Sequence, residues 1–171
     1  MSEHVSDDSD YRLPDTVVPR RYELTMEPDL RSASFAGTEA VAVDVLEPVG
    51  EVVLNAAELE IDEAWLDGPD GTRLDATPQL DEERERLVLT LAGTATPGSW
   101  TVHLSFRGVL NDKLRGWYRS TFKDGDGNEH VIATTQMEPV DARRAFPCWD
   151  EPDKKAVFAV TLVVADDLLA L

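Results

Sequence analysis

Apolar and polar residues alternate along much of the chain with a period of two, and the pattern begins at Tyr22. Tyr22, Leu24 and Met26 are separated by Glu23 and Thr25. Because successive side chains of a strand point to opposite faces, this alternation predicts a half-buried β-strand. The same argument predicts further strands within residues 35–45, 52–54, 61–66, 87–91, 100–106, 116–122, 130–135 and 156–164.

Turn residues separate the predicted strands, with Pro, Gly, Asp and Asn concentrated at 28–29, 48–50, 68–71, 97–98 and 124–128. No long segment has a helical period of 3.6, and only residues 139–145 favour a short helical turn, because Pro139 suits a first helical position. We therefore predict an all-β fold, an antiparallel sandwich or a curved pair of sheets. The charged residues 81–86 are interpreted as a solvated loop that leads into a strand.

The length of 171 residues is sufficient for one domain with its own core. Residues 1–10 are polar and acidic, and we expect them to form a disordered tail. Residues 11–171 are predicted to form one β-domain, since no linker divides them. The chain ends with the apolar residues 168–171 directly after a predicted strand, which favours a domain that is incomplete at its C-terminal end.

The net charge of −18 makes nucleic acids and anionic membranes poor partners, because both would repel the chain. No apolar run approaches the ~20 residues that span a bilayer. A single cysteine, Cys148, excludes an internal disulfide. The N-terminal residues have no secretory pattern, so we expect a cytoplasmic protein.

Several kinds of catalytic site are absent from the sequence. None of the three histidines stands in a His-Glu-x-x-His pair, so no zinc ligand or catalytic residue is predicted. Residues 124–128 begin like a calcium loop but have Glu129 where that loop requires Gly, which favours a hairpin turn. His130 is interpreted as a strand or surface residue, and Cys148 as a buried structural thiol.

The densest group of unusual residues is 134–152, directly after a predicted strand. If the chain is still extended there, Gln136 and Glu138 project on the same side and Met137 on the other. This arrangement is compatible with a recognition pair at a strand end, but also with a surface pair that caps a turn. The charged residues that follow predict a salt-bridged loop, with Phe146 and Trp149 holding it to the core; these charged residues are Asp141, Arg143, Arg144, Asp150 and Glu151.

The same segment resembles the signature of the aminopeptidase N and puromycin-sensitive aminopeptidase family of zinc metallopeptidases. That signature reads Thr-Gln-x-Glu-Pro-x-Asp-Ala-Arg-Arg-x-Phe-Pro-Cys-aromatic-Asp-Glu-Pro, followed here by Lys155-Ala156-Val157-Phe158. Residues 12–24, 35–37 and 116–120 also resemble the family. Met137 and Val140 are small departures, since the family often has Phe and Thr there.

The resemblance implies a saddle-like N-terminal β-domain that covers the active site of an aminopeptidase. It implies that Gln136 and Glu138 bind the free N-terminus of a peptide substrate. It places the zinc ion and the catalytic residues in a thermolysin-like domain absent from this sequence, so we expect this segment alone to be inactive and to bind no zinc. The alternative is a stand-alone, non-catalytic β-sandwich that serves as a binding module.

Overall fold

The computed structural model describes residues 12–170, which form ten strands and two short 3-10 helices. The strands are β1 (Val17–Asp29), β2 (Ser34–Val45), β3 (Val49–Asn55), β4 (Leu59–Asp67), β5 (Arg73–Asp81), β6 (Arg86–Ala95), β7 (Gly98–Val109), β8 (Gly116–Lys123), β9 (Glu129–Gln136) and β10 (Val157–Leu162). The 3-10 helices are Pro69–Gly71 and Ala142–Arg144. The all-β prediction is confirmed, and the second 3-10 helix lies within the predicted helical turn.

Eight strands form one sheet in the order β10-β1-β2-β7-β4-β5-β6-β3, and β8 and β9 form a separate hairpin. The large sheet curls at β5, because residues 73–75 of that strand pair with β4 and residues 76–81 pair with β6. Buried side chains from β6 and β3 join those of β2 and β7 in one hydrophobic cluster. The result is a curled, sandwich-like sheet around a single core.

The alternation in the sequence determines which side chains enter that core. Tyr22, Leu24 and Met26 are at most 4% exposed. The matching faces of β2 and β7 are equally buried, through Val41, Val43, Trp100, Val102, Leu104 and Phe106. Two tight approaches fix the packing of these strands, since a Cβ atom on Gly108 would lie 2.2 Å from the Phe35 ring and one on Gly37 would lie 2.4 Å from the Phe106 ring.

Two features of the sheet differ from the sequence prediction. Strand β10 pairs with β1 in parallel, whereas the other pairs are antiparallel. Strand β5 was not predicted, because it contains no fully buried residue and its alternation is carried by half-buried positions.

The predicted acidic tail at residues 1–10 lies outside the described residues. Within residues 12–170, no helix has the length and apolarity to cross a membrane.

Glu39 is a carboxylic acid on the core face of β2. It is 3% exposed, and neither of its carboxylate oxygens has a hydrogen-bond partner among the described residues. Its strand partners, Leu24 on β1 and Leu104 on β7, are both buried and apolar. Burial raises the pKa of Glu39 well above its ordinary value and so favours its neutral form in the folded protein.

Glu39 is expected to make the fold less stable as the pH rises. The unfolded chain releases the proton near its ordinary pKa of about 4.3, whereas the folded chain retains it, so stability falls by up to about 1.4 kcal/mol per pH unit above that value until the folded pKa is reached. Glu39→Gln has no proton to lose and should be more stable than the parent at about pH 8 but not at about pH 4. Chemical unfolding at both pH values measures this difference.

Glu51→Gln is the matched control, because Glu51 is an exposed carboxylate on β3. It should retain the pH dependence of the parent chain. If the stability of Glu39→Gln varies with pH in the same way as that of the parent chain, burial does not raise the pKa of Glu39 in the folded protein.

Candidate functional site

Gln136 is the last residue of the β8–β9 hairpin. It pairs with Gly116 at the base of the hairpin, and Trp117 pairs with Thr135. Trp117 is buried and packs against Phe35 of the large sheet, with ring centroids 5.0 Å apart. Since neighbouring residues of a strand face opposite ways, Trp117 fixes one face of the hairpin to the core and Gln136 lies on the other.

Glu138 lies in a tight loop that begins directly after β9. The loop is closed by the Asp141 N–H, which donates to the Met137 carbonyl oxygen at 2.8 Å. Gln136 and Glu138 are both exposed, and Met137 is half-buried against the core. Gln136 Nε2 donates to the main-chain oxygen of Glu138 at 3.2 Å. The structure thus brings the two residues together, through a contact between the Gln136 amide and the Glu138 backbone.

The residues that follow Glu138 form an arginine–carboxylate cluster. Arg144 donates to Asp141 Oδ1 at 2.8 Å, to Glu58 Oε1 at 2.8 Å and to Glu85 Oε1 at 2.5 Å. Arg143 donates to Asp150 Oδ2 at 2.9 Å and lies 3.4 Å from Glu85 Oε2. The Arg144 side chain is only 10% exposed. The predicted salt-bridged loop is therefore present, and it extends to carboxylates far away in the sequence.

The carboxylate partners of Arg144 favour its charged form. Burial alone would lower the pKa of its guanidinium, but the hydrogen bond to Asp141 and the charges of Glu85 and Glu58 outweigh that effect and raise it. A guanidinium offers five N–H donors in a planar fork, which suits three carboxylates from three different segments. Arg144 therefore joins the Glu138 loop to the β3–β4 and β5–β6 connections.

Residues 145–149 attach the segment to the core. Asn55 exchanges two main-chain hydrogen bonds with Cys148, at 2.7 and 3.0 Å, and its Oδ1 accepts the Asp150 N–H at 3.2 Å. The Tyr22 hydroxyl accepts the Trp149 N–H at 3.1 Å. The prediction that Phe146 and Trp149 hold this loop to the core is confirmed, since they are 6% and 4% exposed.

The carboxylate of Glu138 differs from the others in its segment. Asp141, Asp150 and Glu151 each form an ion pair, with Arg144, Arg143 and Arg12. Across residues 12–170, no hydrogen bond or ion pair reaches the Glu138 side chain. An exposed carboxylate at this position is therefore available to a cation from outside the chain.

The remaining candidate residues have structural partners. His130 lies on β9, where Asp124 Oδ2 is 2.8 Å from its Nε2 and Phe122 stacks on its ring. Hydrogen bonds from His130 and then Asn128 lower the pKa of Asp124 to about 2, and Asp124 caps the hairpin turn rather than opening a calcium loop. Cys148 is free and buried, and burial raises the pKa of its thiol well above the ordinary value.

No group of three or more His, Cys, Asp or Glu side chains in the described part of the chain could hold a metal ion. One cleft, of about 930 Å³, is lined mainly by the C-terminal end of β1, the start of β2, the end of β7 and residues 163–165 and 167–168. Neither Gln136 nor Glu138 lines it. The described residues therefore provide one face for a ligand at Glu138, without an enclosing pocket.

Two residues of the cluster were not identified from the sequence. Glu85 belongs to the charged run 81–86, which was interpreted as a solvated loop, yet it contacts both Arg143 and Arg144. Glu58 has a φ of +58° in the short connection between β3 and β4, and it also pairs with Arg115 at 3.1 Å. Sequence separations of 57 to 86 residues left no local signal for these contacts.

Comparison with known proteins agrees with the resemblance seen in the sequence. The Peptidase M1 N-terminal domain matches residues 18–171. Aminopeptidase M1 of Arabidopsis thaliana is 45% identical over 164 residues, covering 94% of this chain and 18% of that relative. Aminopeptidase M1-D of Oryza sativa subsp. japonica is 46% identical over 160 residues, with the same shares.

Aminopeptidase 2, mitochondrial, of Saccharomyces cerevisiae is 40% identical over 158 residues, which cover 88% of this chain and 16% of that relative. The chain thus spans less than a fifth of the length of these relatives. The family match extends over nearly the whole curled sheet and the segment that carries Gln136 and Glu138. This chain belongs to the family of Peptidase M1 N-terminal domains.

Proposed function

We propose that this chain forms one wall of the substrate pocket of an aminopeptidase and binds the free N-terminus of a peptide through Glu138 and Gln136. The observation that carries the proposal is the exposed carboxylate of Glu138, which has no ion pair within residues 12–170, in a segment whose other carboxylates are paired with arginine. The names of the curated relatives support the class of reaction, since all those compared are aminopeptidases.

The chemistry of the peptide end explains why a carboxylate suits this role. A peptide α-amino group has a pKa of about 7.7–8.0, so much of it is cationic near neutral pH. An internal peptide bond has no such charge, so a carboxylate that meets the end of the chain favours removal of the first residue over internal cleavage. A substrate without a free N-terminus would leave that carboxylate without a cation in a partly dry cleft, and its binding is therefore disfavoured.

In this proposal Gln136 assists Glu138. Its Nε2 is already engaged by the Glu138 carbonyl oxygen. Its Oε1 has no donor among residues 12–170 and can accept an N–H of the same ammonium group. The contact between Gln136 and the Glu138 backbone also favours a fixed separation between the amide and the carboxylate.

The rest of the enzyme is part of the proposal. The family resemblance implies a zinc ion held by a separate thermolysin-like domain, and the described residues do not fit a zinc ion. The contribution proposed for this chain is therefore recognition of the substrate. A reducing compartment such as the cytoplasm fits the free thiol of Cys148.

Removal of the Glu138 charge should weaken the enzyme toward substrates with a free N-terminus. Activity is measured in a chimera in which this chain replaces the matching segment of the Arabidopsis relative, with an aminoacyl chromogenic amide as substrate. Glu138→Gln and Glu138→Ala lose a charge-assisted contact of about 1.5–3 kcal/mol, which is roughly a 10- to 150-fold fall in kcat/KM.

Glu129→Gln is the control for this experiment, because Glu129 is an exposed carboxylate at the far end of the same strand. It should leave kcat/KM within about twofold of the unsubstituted chimera, in keeping with an exposed surface charge. Equal activity of the Glu138 and Glu129 variants, or a chimera without hydrolysis, would contradict the proposed role.

The chain alone should bind no stoichiometric zinc. After incubation with zinc and dialysis, elemental analysis should find well under one equivalent per chain, because the described residues provide no set of ligands. A known zinc protein carried through the same dialysis controls for loss of bound metal. One equivalent that survives dialysis would require a metal site within this segment.

A further inference from the structure

Glu138 depends on its backbone for its position. No hydrogen bond or ion pair from residues 12–170 reaches its carboxylate, so its position depends on the backbone of the loop from Met137 to Asp141 and on the Gln136 side chain that donates to that backbone. One end of the loop is fixed by β9, through the pairing of Gln136 with Gly116. The other end is fixed by Asp141, whose N–H donates to the Met137 carbonyl oxygen.

Arg144 holds Asp141 in two ways. Its Nε donates to Asp141 Oδ1 at 2.8 Å, and its main-chain N–H donates to the Asp141 carbonyl oxygen at 3.1 Å. The other two branches of the guanidinium are held by Glu58 and Glu85. Since the Arg144 side chain is 10% exposed and its donors point to carboxylates of three segments, its orientation is fixed by the fold.

Arg144 also supports the other end of the loop. Gly116 has a φ of +65°, and a Cβ atom built on it would lie 2.6 Å from Arg144 Cβ and 3.3 Å from the Asp141 carbonyl oxygen. The base of the hairpin therefore packs directly on Arg144. Because Gly116 is the strand partner of Gln136, one residue supports the backbone on both sides of Glu138.

We propose that Arg144 is a positioning residue for Glu138: its guanidinium fork fixes Asp141, its Cβ packs on the hairpin base, and together these contacts set where the carboxylate meets the α-ammonium group of a peptide. This inference rests on the proposed function of Glu138 and adds the residue through which that function is maintained. Lysine cannot replace Arg144, because an ammonium group lacks the planar fork that reaches three carboxylates together.

The first test uses the chain itself and does not depend on activity. In ¹⁵N relaxation measurements, Arg144→Lys should lower the order parameter of the Glu138 amide from about 0.85 to below about 0.6, while the sheet stays rigid. Arg143→Lys is the matched control, since Arg143 contacts Asp150 and Glu85 but not Asp141. An unchanged order parameter in a folded Arg144→Lys chain overturns the inference.

Asp141→Ala serves as a second variant in case Arg144→Lys does not fold. It retains the N–H that closes the loop and removes the carboxylate that accepts the Arg144 Nε–H. The Glu138 amide should again become more mobile. If the loop stays ordered in this variant, the link from Arg144 to Glu138 is wrong.

The second test measures coupling in the chimera. Arg144→Lys should lower kcat/KM at least about fivefold, and combining it with Glu138→Gln should lower activity no further than Glu138→Gln alone, because both act through one group. Arg143→Lys should instead be additive with Glu138→Gln. Additive effects of Arg144→Lys would indicate a purely structural role.

The two tests separate the possible failures. If Glu138→Gln is as active as the parent chimera, the proposed function is wrong, and relaxation alone decides whether Arg144 fixes the loop. If Glu138→Gln is impaired but Arg144→Lys is not, the function stands and the positioning role is rejected.

Discussion

The hydrogen bonds between Asn55 and Cys148 hold the segment after Glu138 against the curled sheet, and the candidate site depends on them. Asn55 ends β3, the last strand in the order of the sheet, and it is buried. Its N–H, its carbonyl oxygen and its side-chain oxygen are all satisfied by the Cys148–Asp150 backbone. A buried strand edge whose N–H and C=O groups lack hydrogen bonds would cost free energy of folding. The hydrogen bonds of Asn55 therefore stabilise both the sheet and the segment after Glu138.

The carboxylates of this acidic chain fall into distinct environments. Asp141 and Asp150 are paired with arginines, Glu39 is buried with a raised pKa, and Glu138 is exposed without an ion-pair partner among residues 12–170. The arginine cluster contains enough carboxylates to occupy its guanidiniums, so it does not compete for Glu138. This division leaves the Glu138 carboxylate available beside a loop whose other charges are paired.

Much of the fold could be predicted from alternation alone, because period-two patterns report directly on burial. Strand β2 follows that pattern over its length, β7 follows it from Trp100 to Phe106, and β1 follows it from Tyr22 to Met26, after a β-bulge between Pro19 and Arg21. Strand β5 did not, because its side chains are only half-buried. Glu39 occupies a position with the same parity as Val41 and Val43, and that mismatch was a visible signal of a buried acid.

The candidate site was predictable only in part. Local spacing indicated that Gln136 and Glu138 are neighbours, and the charged residues after them indicated a salt-bridged loop. The contacts of Arg144 with Glu58 and Glu85 required the folded sheet, because loop closure over such separations leaves no trace in a local pattern. A run of charge such as 81–86 is compatible with solvation at every position, and only the structure shows that Glu85 is an exception.

The net charge of the chain cannot provide the selectivity that the proposed function requires. A charge of −18 attracts every cation, including lysine side chains and salt, and its field is screened beyond about 8–10 Å at physiological ionic strength. Discrimination of a peptide α-amino group must therefore come from a carboxylate and an amide held at a fixed separation. In a flexible loop, the Glu138 carboxylate could bind any cation. In a loop fixed at both ends, the carboxylate and the Gln136 amide favour a ligand that has an ammonium group next to a peptide bond.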